Sequence, residues 1–349
     1  MIYFCRHDSI PAVEYDETLN PDYLVSRVIG DIEAGGLILP GESVMVGVSG
    51  GLDSMVLLSV LNVILETGEK DFKIIAAHFD HGLRNDSSKD AEFVSSVARK
   101  MEIECIVGKG TLDSRVENAA RNARYDFFIR ASSECGASKV ALAHHADDNC
   151  ETVLFRMFRG TALRGLAGMP VERTLGDEPP VQLIRPLLNL RRDEILSWAK
   201  SRGLQWREDS TNLESEYSRN FLRNELLPLL REKLNPRVDE AILRLRSLAA
   251  ETEDFLIEKG GELLADSILH SGKDQVIVDT AIFRAGHPEE RKTAVRMIMQ
   301  SLGLPERNLT ADHITAVDSL VENGGSMDLP GGCRVLNAGD QLVITRAGG

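Results

Sequence analysis

Paired cysteines are absent from this 349-residue chain. Cys5, Cys105, Cys135, Cys150 and Cys333 are scattered, odd in number, and never spaced as Cys-X-X-Cys. Zinc ribbons, cysteine-held iron–sulfur clusters and thioredoxin-like redox pairs need such spacing, so the sequence speaks against all three. Isolated thiols of this kind are ordinarily buried or incidental. Long apolar runs are missing too: no stretch approaches the roughly 20 apolar residues that span a bilayer. The opening Met1-Ile2-Tyr3-Phe4-Cys5-Arg6-His7-Asp8 has neither the basic start nor the apolar run of a secretory signal, which sets the expectation of a cytoplasmic protein with no membrane partner. Positive charge is in deficit, with 40 Lys and Arg against 54 Asp and Glu and a net charge of −14. Phosphate contacts need clustered cations, so broad nucleic-acid binding is disfavoured while a local basic surface stays open. Internal repeats and low-complexity tracts are also lacking.

What is present is concentrated at Ser49-Gly50-Gly51-Leu52-Asp53-Ser54. Ser43-Val44-Met45-Val46-Gly47-Val48 before it has the length and β-branched composition of a buried strand. Met55-Val56-Leu57-Leu58-Ser59-Val60-Leu61 after it suits a buried helix. Strand, glycine turn and helix together make a phosphate cradle. The glycines let backbone N–H groups approach an anion, and the helix N-terminus adds unpaired donors and a favourable dipole. A bare glycine turn is the bland alternative; two serines and an aspartate in the same loop weigh against it. The Gly-Lys-Ser/Thr ending of a Walker A loop is missing. Ser-Gly-Gly-X-Asp-Ser resembles instead the pyrophosphate-binding loop of N-type ATP pyrophosphatases, which implies cleavage of ATP to AMP and pyrophosphate.

Along the chain, residues 1–21 read as an irregular leader, and helical spacing of apolar residues runs over Pro21–Ile29 and ends at Gly35-Gly36. Strands are expected at Phe72–Phe79, Glu104–Val107 and Lys139–His144, alternating with helices over Asp90–Met101 and Glu117–Ser132. Such alternation implies an α/β fold: a doubly wound parallel sheet, Rossmann-like, with ligands at the carboxyl ends of its strands. Glu172–Pro180 reads as a polar loop. Helices follow at Asp193–Arg202, Phe221–Arg231 and Asp239–Lys259. A different texture begins at Gly272, with strands near Gln275–Val278, Met327–Leu329 and Leu342–Ile344 and helices over Pro288–Leu302 and Ala311–Asn323. The expected organisation is a catalytic domain over 22–215, a helical linker over 216–271 and a smaller α+β domain over 272–349.

Further polar groups gather at the expected strand ends. His78-Phe79-Asp80-His81-Gly82-Leu83-Arg84 places His78 and Asp80 toward a nucleotide, or else forms a polar turn with Asp80 as a cap. Arg121 and Arg124, three apart, share one helix face and suit phosphates or surface ion pairs. Ala143-His144-His145-Ala146-Asp147-Asp148-Asn149-Cys150-Glu151-Thr152 is the densest polar cluster. Adjacent strand residues point to opposite faces, so His144 and His145 do not share a metal. Asp148 and Glu151 lie three apart at a helix start, which suits carboxylates on a nucleotide-bound magnesium; Asp147 or Asp148 could equally cap the helix. The basic segment Arg159-Gly160-Thr161-Ala162-Leu163-Arg164-Gly165-Leu166 is able to approach an anionic substrate.

These motifs, with Asn118–Tyr125, Arg185-Pro186-Leu187, Glu208-Asp209-Ser210-Thr211-Asn212 and Arg219-Asn220-Phe221-Leu222-Arg223, occur in the order and spacing of the tRNA(Ile)-lysidine synthase family. The resemblance covers roughly Ser43–Pro228 strongly and the segment from Gly272 more weakly. It departs at Ala162, where the family has glycine, in the leader, and in a further C-terminal domain of longer members. It implies an AMP-forming ligase acting on an isoleucine tRNA. ATP would adenylate O2 of the wobble cytidine, and free L-lysine would then displace AMP to give lysidine. By the same resemblance, Ser49, Gly50, Gly51, Leu52, Asp53, Ser54, His78, Asp80 and Arg121 would bind ATP. Asp53, Asp148 and Glu151 would be catalytic, with Asp53 and Asp148 on Mg2+. Arg84, Arg124, His145, Arg159, Gly160, Arg164, Arg219 and Arg223 would meet substrate or the tRNA anticodon stem-loop, with Arg231, Lys233 and Arg237 as further backbone contacts or a solvated face. A homodimer is a candidate assembly. The alternatives are a related tRNA-thiolating pyrophosphatase, a GMP-synthetase-like amidotransferase, and a tRNA-binding relic with a degraded nucleotide site.

Overall fold

A computed structural model describes residues 22–80, 87–110, 117–176, 180–207, 217–304 and 309–346. The leader 1–21, Arg84 and the Glu208–Asn212 motif lie outside the described residues. The chain divides into two compact units, Met1–Glu151 with Met169–Pro228, and Thr152–Gly168 with Leu229–Gly349.

The first unit begins with α1 (Asp22–Gly35), β1 (Ser43–Gly47), α2 (Leu52–Glu66), β2 (Lys73–Asp80), α3 (Ser87–Lys100), β3 (Glu104–Lys109), α4 (Glu117–Cys135) and β4 (Lys139–Ala141). Helix α5 (Ala146–Phe158) runs on into the second unit, which also takes α6 (Leu163–Leu166). The first unit resumes with β5 (Glu172–Leu175), β6 (Val181–Ile184), α7 (Arg192–Ser201), α8 (Tyr217–Phe221) and a π-helical turn, Leu222–Leu226. Helix α9 (Leu227–Lys233) follows.

Six strands form one sheet in the order β3-β2-β1-β4-β6-β5. The chain runs outward from β1 through β2 to β3, then returns to the other side through β4, so β1 and β4 flank the point where the winding reverses. Ligands of such sheets bind at the carboxyl ends beside that point. The sheet is covered on both faces, and its strands accordingly read as unbroken apolar runs. Val44 and Val46 of β1 and Ile74 and Ala76 of β2 pack to one side with Met55, Leu58 and Leu61 of α2. The intervening Met45, Ile75 and Ala77 pack to the other side with Phe127 and Phe128 of α4. Burying each such large side chain is worth about 1.5–3 kcal/mol, which anchors the loops at the strand ends.

The sheet is not wholly parallel. β5 pairs antiparallel with β6, whereas the β1–β2, β1–β4, β2–β3 and β4–β6 pairs are parallel. The Glu172–Pro180 stretch expected as a loop therefore supplies an edge strand over Glu172–Leu175. An edge strand half-facing solvent can be short and polar, which leaves little pattern in Glu-Arg-Thr-Leu. β4 is also shorter than expected: it ends at Ala141, although the Leu142 amide still donates to the Ile184 carbonyl at 3.0 Å.

The second unit contains α10 (Val238–Ser267), β7 (Ile268–Ser271), β8 (Gln275–Asp279), α11 (Thr280–Ala285), α12 (Pro288–Ser301), α13 (Ala311–Asn323), β9 (Gly325–Leu329), β10 (Cys333–Asn337) and β11 (Gln341–Arg346). Its antiparallel sheet runs β7-β8-β11-β10-β9, two strands more than the composition suggested. Phe283, Val295, Ile298, Val317, Val335 and Ile344 form a separate core. Arg291 is buried there, donating to Asp318 at 2.6 Å and to the Arg284 and Gly286 carbonyls.

Candidate active site at the reversal of the sheet

The loop after β1 holds itself open by its own hydroxyls. Ser54 Oγ, on the first turn of α2, donates to the Gly51 carbonyl at 3.0 Å and accepts from the Ser49 amide at 3.1 Å. Ser49 Oγ lies 3.1 Å from Ser54 Oγ and accepts from the Gly51 amide at 3.3 Å. Gly50 sits at φ +92°, a region that side-chain-bearing residues rarely adopt, and this turn sends the chain into α2. The Gly50 carbonyl is tied down by the Arg207 amide at 2.9 Å, and Arg207 in turn reaches Asp90 of α3 at 2.6 Å. Leu52 points into the core, so only its backbone is left to face a ligand. His78 is buried beneath the loop, its Nδ1–H donating to the Val48 carbonyl at 2.8 Å. Asp80 closes β2 and is buried.

Across from this loop, the chain leaving β4 sends its two histidines to groups of opposite charge. His145 enters an acidic group. Its Nε2 lies 3.8 Å from Asp53 and 3.5 Å from Asp148, and its Nδ1 lies 3.7 Å from Asp147. The start of α5 explains the crowding. Asp148 reaches back to accept from the His145 amide at 3.1 Å, so it caps the helix while its other oxygen meets Arg223 at 3.1 Å. Asp147 turns away to Arg191 at 2.8 Å and to the Arg192 amide at the start of α7. Glu151, one turn along α5, is buried and takes a two-pronged contact from Arg223, at 2.6 Å from Nε and 3.0 Å from Nη2. Arg223 sits on the π-helical turn that follows α8; such turns mark irregular, often functional, stretches.

Burial pushes the Asp53 carboxyl above its usual range, with Asp148 adding and His145, Arg192 and Arg223 opposing. Glu151 is likewise raised, by burial first and then by Asp148, despite Arg223. Asp53 Oδ1 is buried without a hydrogen-bond partner. A buried carboxylate oxygen with nothing to accept from, beside a second carboxylate, suits a hard cation or an ammonium. No group of three or more His, Cys, Asp or Glu side chains placed to hold a metal exists among the described residues.

His144 enters a basic group. The Arg185 Nε–H donates to its Nδ1 at 3.3 Å, so the ring proton lies on Nε2. Burial, then Arg185, Arg124 and Arg121, lowers its pKa to about 3, and the ring is neutral at physiological pH. Arg121, Arg124 and Arg173 surround Tyr125, their guanidinium carbons 5.4, 5.7 and 5.0 Å from the ring centroid. Burial would raise the Tyr125 hydroxyl, but Arg121, Arg173 and Arg124 outweigh it and bring its pKa below the ordinary value.

The first unit thus brings together Ser49–Ser54, Asp53, His145, Asp148, Glu151 and Arg223, and separately Arg121 and Arg124. Arg223, expected to meet substrate or the tRNA, pairs with Glu151 and Asp148. Arg219 is half-buried on α8. Arg159, Gly160 and Arg164 belong to the second unit, where Arg159 lies 4.0 Å over the Phe155 ring and Gly160 takes a positive φ. Arg173 and Arg207 carried no signal in the sequence: one lies in the unrecognised edge strand, the other joins the Gly50 carbonyl through its amide and Asp90 through its side chain.

A PP-loop domain profile matches residues 26–230. The chain is 33% identical over 322 residues to the tRNA(Ile)-lysidine synthase of Dehalococcoides mccartyi (strain CBDB1), covering 89% of this chain and 66% of that protein. It is 32% identical over 333 residues to the protein of that name from Geobacillus kaustophilus (strain HTA426), covering 92% and 70%. Over 223 residues it is 40% identical to the one from Thermotoga sp. (strain RQ2), covering 62% of this chain and 51% of that protein. The chain therefore spans from about half to seven-tenths of the length of these relatives. Among solved structures it resembles the U34-tRNA thiolase NcsA from Methanococcus maripaludis, with its 4Fe–4S cluster, at a TM-score of 0.54 and 21% identity. That match covers 65% of this chain and 78% of the other and speaks to the fold. The serine–glycine loop at the reversal of the sheet, the profile that spans it and the relatives aligned along most of the sequence agree: the chain belongs to the PP-loop family, among the tRNA(Ile)-lysidine synthases.

Proposed function

We propose that this protein ligates free L-lysine to the wobble cytidine of an isoleucine tRNA bearing a CAU anticodon, converting ATP to AMP and pyrophosphate. The observation that carries the reading is that Asp53, within the phosphate-cradling loop, and Asp148 both approach His145, with the buried Glu151 joined to Asp148 through Arg223. The reaction needs both: a site for a departing pyrophosphate and a site for a cationic amine.

In the first step, O2 of the cytosine attacks the α-phosphorus of ATP and pyrophosphate leaves, so that a poor leaving oxygen becomes part of AMP. The Ser49–Ser54 loop would serve this step with backbone N–H groups, while its two serine hydroxyls hold the loop in shape. Asp53 and Asp148 would hold Mg2+, which when bound offsets charge developing on the bridging oxygen. In the second step, the lysine amine attacks C2 of the ring, the C2–O bond to AMP breaks, and the amine loses a proton. Asp148 and Glu151 present negative charge that draws the lysine side chain into place. A single-stranded anticodon loop suits the first unit's open strand ends, because unstacked bases expose their edges. The tRNA thiolation alternative is disfavoured by five cysteines with no Cys-X-X-Cys among them.

The test is incubation with ATP, radiolabelled lysine and an unmodified CAU-anticodon transcript. The expected result is AMP formed in step with lysine incorporated into RNA. AMP without lysine uptake, or a requirement for a sulfur donor, would overturn the reading.

A further inference from the structure

The Gly50–Gly51 peptide is the part of the anion-binding loop with the greatest freedom to turn. Two glycines in succession let a peptide unit rotate about its flanking bonds at small steric cost, and Gly50 already sits at φ +92°. A planar trans peptide points its carbonyl and its N–H in opposite directions. A half-turn of this unit would swing the Gly50 carbonyl, a partial negative charge, to the side where the Gly51 N–H now lies. A phosphate cradle needs donors there. The Gly51 N–H is lightly held, donating to Ser49 Oγ at 3.3 Å. The firmer hold comes from outside the loop, where the Gly50 carbonyl accepts from the Arg207 amide at 2.9 Å.

Arg207 lies beyond the end of α7, and two contacts fix it. Trp206 beside it rests on the core, and the Arg207 side chain pairs at 2.6 Å with Asp90 in the first turn of α3. The same helix brings Val94 and Phe93 within 3.5 and 3.6 Å of the place a β-carbon on Gly50 would take. The two charged side chains are 36% and 22% exposed, so their pairing adds little to overall stability. Attraction of ligand does not account for Asp90 either, because a carboxylate near an anion site repels the anion. What remains is position. We infer that Arg207 and Asp90 are positioning residues that act as one clamp, keeping the Gly50 carbonyl turned away from the phosphate site, an assignment that rests on the proposed function for its ligand, the pyrophosphate portion of ATP.

A ligand that needs one state of a two-state peptide binds more weakly in proportion to the fraction left in that state. If releasing the clamp leaves about one-fifth of the loops competent, pyrophosphate binds about fivefold more weakly. AMP has no pyrophosphate for the loop to hold and keeps its affinity. Charge alone gives the opposite sign at Asp90: removing a negative charge near an anion site tightens the anion.

The test uses the full-length chain with magnesium present, as wild type, Asp90→Asn, Arg207→Met, the double variant and Arg207→Lys. Each is titrated with inorganic pyrophosphate and, separately, with AMP, and each is melted. Asp90→Asn and Arg207→Met should each weaken pyrophosphate by about fivefold, with AMP within about twofold of wild type. The double variant should also lose about fivefold, because the second change removes nothing that the first has left. Arg207→Lys, which keeps the charge and loses the fork, should lose about twofold to threefold and reads the clamp if Arg207→Met melts early. The clamp is overturned if folded Asp90→Asn binds pyrophosphate as tightly as wild type or more tightly. A double variant weakened about 25-fold, as independent sites would be, overturns it too. So does an equal loss for AMP. Wild type that binds no pyrophosphate overturns the reading of the loop and the clamp with it, whereas unshifted variants of a wild type that binds overturn the clamp alone.

Discussion

Replacing Arg223 with methionine keeps the length of the side chain and removes the guanidinium that spans Glu151 and Asp148. Stripping one partner from a fully buried ion pair typically costs about 3–5 kcal/mol, because the other charge is left behind in low dielectric. Here Glu151 is well buried with 7% of its side chain exposed, but Arg223 is 38% exposed, so water screens part of the interaction. A discounted loss of roughly 2 kcal/mol is the expectation at neutral pH. For a unit of this size it lowers the melting midpoint by roughly 4–8 °C. The pH dependence separates this cause from lost packing. The Glu151 carboxyl already titrates above its usual value in the fold. A carboxyl so raised binds more protons folded than unfolded, so stability falls as pH rises from the unfolded value toward the folded one. Without Arg223 the folded value climbs further, and the window of falling stability widens upward. The gap between wild type and Arg223→Met should therefore be small near pH 4 and grow to a plateau by neutral pH. Adding Glu151→Gln to Arg223→Met should recover most of the loss at neutral pH. Thermal melts across pH give the answer. An equal gap at pH 4 and pH 7.5, or no rescue by Glu151→Gln, would refute the reasoning.

Asp53→Asn should lower AMP release by about 10²–10³-fold, the scale seen when one preorganised charge-stabilising group is lost, with an unchanged melting curve; unchanged turnover would remove Asp53 from the chemistry. Tyr125→Phe should delete the phenol absorbance change that begins at the lowest pH in an alkaline titration, since three arginines favour its ionised form; a wild-type titration in which all tyrosines change together above pH 10 would contradict this. Arg291→Met should destabilise the second unit by about 3–5 kcal/mol, because Asp318 and two backbone carbonyls lose their buried donor, while ATP affinity of the first unit stays unchanged. Proteolysis of 229–349 at rising temperature, beside an ATP titration, reads both.

The parts of the site that could be read in the chain are those built within a few residues. Ser49–Ser54 closes its hydroxyl and amide contacts inside six positions, and Asp148 and Glu151 share a helix face because they lie one turn apart. The split between His144 and His145 was likewise legible, since neighbouring residues on an extended chain point apart. The edge strand was not legible: four residues with polar faces carry no periodicity, and only pairing with β6 makes them a strand. Arg223 reads as one more basic residue near the tRNA, because nothing local shows that a π-helical turn carries it to carboxylates more than 70 positions earlier.

By itself, then, the sequence determined the cradle, the α/β alternation and the residue types available to the chemistry, because each depends on neighbours along the chain. The tertiary structure decided which charges meet. It set Arg223 on Glu151, Asp53 beside His145, and Arg173 on Tyr125, since those distances depend on strand order and on the antiparallel turn of β5 rather than on spacing in the chain.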